Sequence, residues 1–195
     1  METSGVVKVD VGKAPIDSTK KKKSGGLYMK NVLTRKVNIK FTNVGKNIKE
    51  LLQKKLVLML ENKCVLEGYI KSNSVRVISY SSGELVSQNV SFMVVFECLV
   101  CNPVENQKVK ARAINVTKAG IRAEAIVTSG ISPIDIFIAR DHNYKSKYFS
   151  TIKENDEFIV KIIGQRYEIN DPVISVLGEL VRPRKKKTKP KLILS

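Results

Sequence analysis

Residues 158–180, FIVKIIGQRYEINDPVISVLGEL, constrain the fold more than any other stretch of this chain. Two β-forming runs, 158–163 and 173–177, flank a polar connection that carries Asn170, Asp171 and Pro172. Such runs separated by turn formers predict a hairpin-like pair of strands.

The residues just upstream supply more strands. Lys108, Lys110 and Arg112 alternate with Val109, Ala111 and Ala113, so one strand face is basic and the other apolar. Thr117-Lys118-Ala119-Gly120 then turns the chain into residues 121–125, and Gly120 is expected to supply a positive φ there. Residues 134–138 add a third strand, and the opening pair brings the number to five. Five antiparallel strands with turn-rich connections suit an OB-type barrel.

The first half reads differently. Val37, Ile39 and Phe41 alternate with Lys36, Asn38 and Lys40, a strand with one wet face. Ile48, Leu51, Leu52, Leu56, Met59 and Leu60 recur at three- and four-residue steps, which predicts an amphipathic helix with all six in the core. Its polar face carries Lys46, Lys49, Glu50, Lys54 and Lys55, with Glu50 and Lys54 at the favourable i,i+4 spacing. Strands follow at 64–70, 75–80 and 90–100, with a turn at Ser81-Ser82-Gly83, before Asn102-Pro103 ends the unit. The fold class expected is α+β, mainly β: an antiparallel sheet with one helix over 27–104, then a barrel over 105–182.

Both ends are basic. Residues 1–26 hold the run Lys20 to Lys23 and no apolar periodicity, and residues 183–195 hold Arg184 to Lys187. These stretches admit three readings: solvated flexible extensions, added non-specific nucleic-acid affinity, or a localisation signal. The 195 residues carry a formal net charge of +17, which points to a polyanionic partner. No apolar run reaches the length of a membrane span and no signal-peptide core opens the chain, so a protein of the cell interior is expected.

Chemistry for catalysis is scarce. His142 is the single histidine, and neither a Walker-type nor a GxGxxG loop occurs. Cys98 and Cys101 have CxxC spacing, but three residues apart on a strand puts them on opposite faces. With Cys64 they read as reduced structural thiols, and Glu154, Asp156 and Glu157 read as a solvated turn. No catalytic residue, cofactor or metal site is expected.

Binding chemistry is richer. Lys108, Lys110, Arg112, Lys118, Arg122, Arg140, Lys161 and Arg166 supply charge, while Tyr144, Tyr148, Phe149 and Tyr167 are candidate stacking groups for RNA. Singly, such residues solvate a strand or complete a core. Collectively they form a basic face, because Lys108, Lys110 and Arg112 share one side of a strand and Lys161 falls on the outward register of another.

The combination Val160-Lys161-Ile162-Ile163-Gly164, Arg166-Tyr167-Glu168, Asn170-Asp171 and Leu177-Gly178-Glu179-Leu180 resembles the last two strands of an OB-type domain in one known family. That family is the large stalk subunit of cellular DNA-directed RNA polymerases, of the archaeal and eukaryotic type. Residues 109–125 also look like that domain's first hairpin. The resemblance spans about 27–181. It implies an RNP-like tip domain that docks on the polymerase core, and an S1-like OB domain near nascent single-stranded RNA. It also implies a smaller stalk partner subunit alongside, no membrane, and a site of action where transcription occurs, in the nucleus or, for a virus, in the virion or host cytoplasm. The N-terminal extension and the missing glycine-bearing loop after the tip helix depart from the pattern. They point to a divergent version of the kind a large DNA virus would encode. The alternative is a free-standing S1/OB-type RNA-binding protein acting in translation or RNA decay.

Overall fold

Strands dominate the computed structural model, which describes residues 26–128, 130–143 and 148–182. The first half comprises β1 (Met29–Lys40), α1 (Ile48–Leu60), β2 (Cys64–Val65), β3 (Gly68–Ile70), β4 (Arg76–Tyr80), β5 (Glu84–Val86) and β6 (Asn89–Cys101). The second comprises β7 (Lys108–Val116), β8 (Gly120–Ala125), β9 (Ile134–Ala139), α2 (Arg140–Asn143), β10 (Glu157–Arg166) and β11 (Ile174–Leu180). The basic stretches at 1–25 and 183–195, and Tyr144, lie outside the described residues.

In the first half β6 is the central strand. β1 pairs antiparallel with it along its whole length, and β5, β4 and β3 follow one another along its other edge. Alternation sends Val90, Phe92, Val94, Phe96, Cys98 and Val100 to one face, where α1 covers them with Leu52, Leu56 and Leu60. The helix bounds agree with the periodicity, but the apolar stripe is narrower. Leu52, Leu56 and Leu60 are buried and Ile48 and Leu51 pack partly against the same core, whereas Met59 is 46 % exposed. Phe41 also departs from expectation. The strand ends at Lys40, and Phe41, 63 % exposed, starts a single 3-10 turn. The 64–70 segment is two short strands, with Gly68 at φ +128, and β5 has no counterpart in the sequence expectations.

One buried carboxylate pins the loop before β4. Glu61, just past the end of α1, accepts the backbone N–H groups of Asn73 at 2.8 Å and of Ser74 and Val75 at 3.0 Å each. Three donors on one ionised group satisfy a charge that burial would otherwise penalise.

β7 to β11 close into a barrel in the order β10-β11-β9-β8-β7. This mainly β architecture with a closed five-stranded barrel is compatible with an OB-like fold. The strands are not all antiparallel: β11 runs parallel to β9, since the excursion through α2 and β10 returns the chain in the same direction. Ala111, Ala113, Ile121, Ala123, Ile136, Ile138, Val160, Ile162 and Ile174 fill the interior. Alanines from β7 and β8 face isoleucines from β9 and β11, which fits the narrow lumen. Gly178 also points inward, where a Cβ would overlap Val160 Cγ1. Gly120 does not have the positive φ expected of it; among the described residues the left-handed glycines are Gly68 and Gly130.

The halves meet along a bonded seam. Cys64 N–H donates to Asp171 O and Asn170 N–H to Cys64 O, each at 2.8 Å, so the connection between β10 and β11 is tied to the start of β2. Gln165 Nε2 donates to Asn102 Oδ1 at 2.8 Å beside it. Cys98 and Cys101 face opposite ways as their spacing requires: Cys98 lies in the helix-covered core, Cys101 in the cluster shared with the barrel. All three cysteines are free and buried. Burial pushes the Cys64 and Cys98 thiols up to about 11 and Cys101 up to about 12.

Candidate nucleic-acid interface

Barrel strands alternate in and out, so each outward side chain is placed by its strand register. The predicted basic residues separate into two surfaces. On β7 and β10, Lys108, Lys110 and Arg112 are exposed, and Lys161 is half-buried in direct register with Lys108. Like charges opposite one another on neighbouring strands oppose pairing. That arrangement persists here beside Glu179, the register partner of Lys161 on β11. Arg112 reaches Glu157 Oε1 at 3.3 Å.

The second surface is a groove of about 560 Å³ on the β8, β9 and β11 wall, completed by the end of β10. Arg122, Asp135, Phe137, Gly164, Arg166 and Leu177 are among its lining residues. Inward Ile134, Ile136 and Ile138 force Asp135 and Phe137 outward. Asp135 then grips Arg122 through two bonds, Nε to Oδ1 at 3.1 Å and a terminal guanidinium nitrogen to Oδ2 at 2.8 Å. This pairing raises the hold of Arg122 on its proton and fixes the fork in one orientation. Arg166, by contrast, is highly exposed, with Glu168 at 3.4 Å. Phe137 lies directly across from Arg122 in register and is 45 % exposed. The sequence expectations place it in a strand and give it no binding role, although the alternation of residues 134–138 carries the signal.

The remaining predicted residues are spread elsewhere. Lys118 stands exposed in the β7–β8 turn, where Thr117 Oγ1 donates to Gly120 O at 2.9 Å. Arg140 stacks over Phe149, 5.4 Å from its centroid, and Phe149 itself is buried in the barrel core. Tyr148 packs partly against that core. Tyr167 is half-buried in the seam, its hydroxyl donating to Leu66 O at 3.3 Å, and burial raises that phenol's pKa. Among the described barrel aromatics, Tyr148 and Tyr167 are thus half-buried, whereas Phe137 is exposed. Asn143, unremarked in the sequence, is a buried tether: its Nδ2 donates to Ala139 O at 3.0 Å and its Oδ1 accepts Leu180 N–H at 3.1 Å.

Among the described residues no cluster of three or more His, Cys, Asp or Glu side chains is arranged to hold a metal ion. Among them, too, no helix is long and apolar enough to cross a membrane.

No protein-family model matches the chain. The chain is 27% identical over 165 residues, 80% of its own length and 82% of the relative's, to a protein of Acanthamoeba polyphaga mimivirus named "Putative DNA-directed RNA polymerase subunit L376".

Proposed function

We propose that this chain is a non-catalytic stalk subunit of a DNA-directed RNA polymerase, acting at the site of transcription in an infected cell or virion. In this reading the sheet half is an RNP-like tip that docks on the core subunits. The barrel is an S1-like OB domain that contacts nascent single-stranded RNA, and a smaller partner subunit flanks both. The observation that carries it is the length of the similarity. An alignment of 165 residues is longer than either half, so the likeness to a viral polymerase subunit reaches across both.

The geometry supports the division of labour. At the far end of the sheet, Phe41 and Leu85 are 63 % and 67 % exposed beside a hollow of about 550 Å³ that they line with Lys40, Thr42 and Gln88. Exposed apolar side chains gathered at one end mark a contact surface. The barrel offers the opposite chemistry, cations and a groove, to a polyanion.

Affinity purification of the tagged full chain from infected or expressing cells tests the reading. Polymerase large subunits are expected in stoichiometric amounts at gentle salt. Recovery of the chain without them would remove the proposal.

A further inference from the structure

The sheet half buries one face under α1 and leaves the other bare. An antiparallel sheet that meets water on one side carries polar residues there, and β6 breaks that pattern. Its inward set runs from Val90 to Val100 in steps of two, so alternation turns Met93, Val95, Glu97 and Leu99 outward. Val95 and Leu99 are half-buried, and Met93 is 48 % exposed. Val32 on β1, in register with Glu97, adds a fourth apolar side chain and is 58 % exposed.

Cations frame this strip. Lys30 and Lys36 stand on β1 across from Leu99 and Met93, and Arg76 of β4 stands across from Glu97. Glu97 holds Lys30 at 2.6 Å, which leaves Lys36 and Arg76 as the excess charge over this stretch. The chemistry narrows the occupant. Apolar side chains at the centre call for a protein. The nearby ring, Tyr80, packs edge-on against Phe92 on the α1 side, so no base could stack among these outward positions. A second copy in two-fold pairing would set the same cations against one another. Size selects a helix. The strands β1, β6 and β4 span about 10 Å at the usual spacing, the width of one helix. Met93 to Leu99 runs about 20 Å, which about 13 helical residues cover.

We infer that the β1–β6–β4 face opposite α1 docks an amphipathic helix with acidic flanks from a protein partner. Its apolar stripe lies on Val32, Met93 and Leu99, and its carboxylates meet Lys36 and Arg76. The surface is separate from the Phe41–Leu85 end, and the inference does not depend on RNA contact by the barrel.

The test puts a photocrosslinking amino acid in place of Val32 in the tagged full chain, in cells that make its partners, with the same group in place of the exposed Lys49 on α1 as control. From position 32 the expected crosslink is to one protein segment with apolar residues at i, i+3, i+4 and i+7 and Asp or Glu beside them; from position 49 that segment should be absent. Made as a peptide, the segment should bind the full chain. Val32→Asp should weaken that binding about 10-fold or more. Lys36→Glu should weaken it about 3- to 10-fold and flatten its salt dependence, while Lys36→Arg should preserve it. Crosslinks to RNA, to a second copy, to a segment without acidic flanks, or to nothing would overturn the inference. So would a peptide that does not bind, or one indifferent to Lys36→Glu.

Discussion

The sheet half and the barrel half are similar in length but differ in what they leave uncovered. Of eighteen exposed large apolar side chains among the described residues, thirteen lie between Met29 and Val104 and five beyond. In the sheet half, Val32 and Met93 stand on the face that α1 does not cover, and Phe41, Leu85 and Val86 crowd one end. The barrel's outward positions carry Lys108, Lys110, Arg112 and Arg122 instead. Exposed apolar surface is stabilised by a protein partner, whereas outward cations are content in water and attract a polyanion. The contrast fits the proposed division, with a docking surface on the sheet and a polyanion-facing surface on the barrel.

The docking end gives the sharpest way to break that contrast. Changing Phe41 and Leu85 together to Asp should weaken association with polymerase core subunits by roughly 30-fold or more. RNA affinity of the isolated chain should not move. A parallel loss of both, measured by pull-down and by RNA titration, would mean the halves do not divide the work.

Stability should divide similarly. Glu61→Gln replaces one acceptor oxygen by an amide that faces the Asn73 N–H, and should cost the sheet half about 2 kcal/mol. Denaturant unfolding followed by hydrogen exchange would show α1 and β4 opening early, with β8 and β9 unaffected. Equal loss in both halves would make them one cooperative unit.

The two basic surfaces of the barrel should separate as well. Replacing Lys108, Lys110 and Lys161 by Ala should lower the slope of log K against log salt by about 2, since each phosphate contact on a single strand contributes roughly 0.7. RNA binding through the groove should survive. An unchanged slope would place the RNA path away from β7 and β10.

The smallest effect concerns the thiols. Their folded pKa values, about 11 for Cys98 and about 12 for Cys101, lie above the ordinary 9.0 because burial favours the neutral form. The stability they contribute is therefore complete below pH 9 and is lost as pH rises through 11 to 12. Native thiols should resist a thiol reagent at about pH 8, below the ordinary thiol range, and Cys98→Ala should flatten the alkaline loss in the sheet half alone. Rapid labelling under those conditions would contradict the burial of both.

Much of this architecture is legible from periodicity. The helix over 48–60 and the alternation on β7 follow from apolar spacing, and the pairing within residues 158–180 from two β-forming runs around the turn formers Asn170, Asp171 and Pro172. Pairing partners are less legible, because a strand's pattern fixes which face is buried but not its neighbour. The parallel β9–β11 contact is invisible to the sequence for that reason. The site is half legible on the same ground. Charge marks Arg122 and Arg166, but the hydrogen bond of Tyr167 to Leu66 O across the seam is invisible to the sequence. Phe137, an aromatic between isoleucines, shows its outward register only when the alternation is counted. Gly120, where a Cβ would lie 2.8 Å from the Phe137 ring, carries a conformational expectation when its role is steric.

The most direct measurement is crosslinking of nascent RNA to the full chain within a transcribing polymerase, with the modified residues mapped. Crosslinks on the β8–β9 wall, at or beside Arg122, Phe137 and Arg166, with none on β1 or α1, are predicted. Crosslinks confined to the sheet half, or to neither half of an intact complex, would contradict the account.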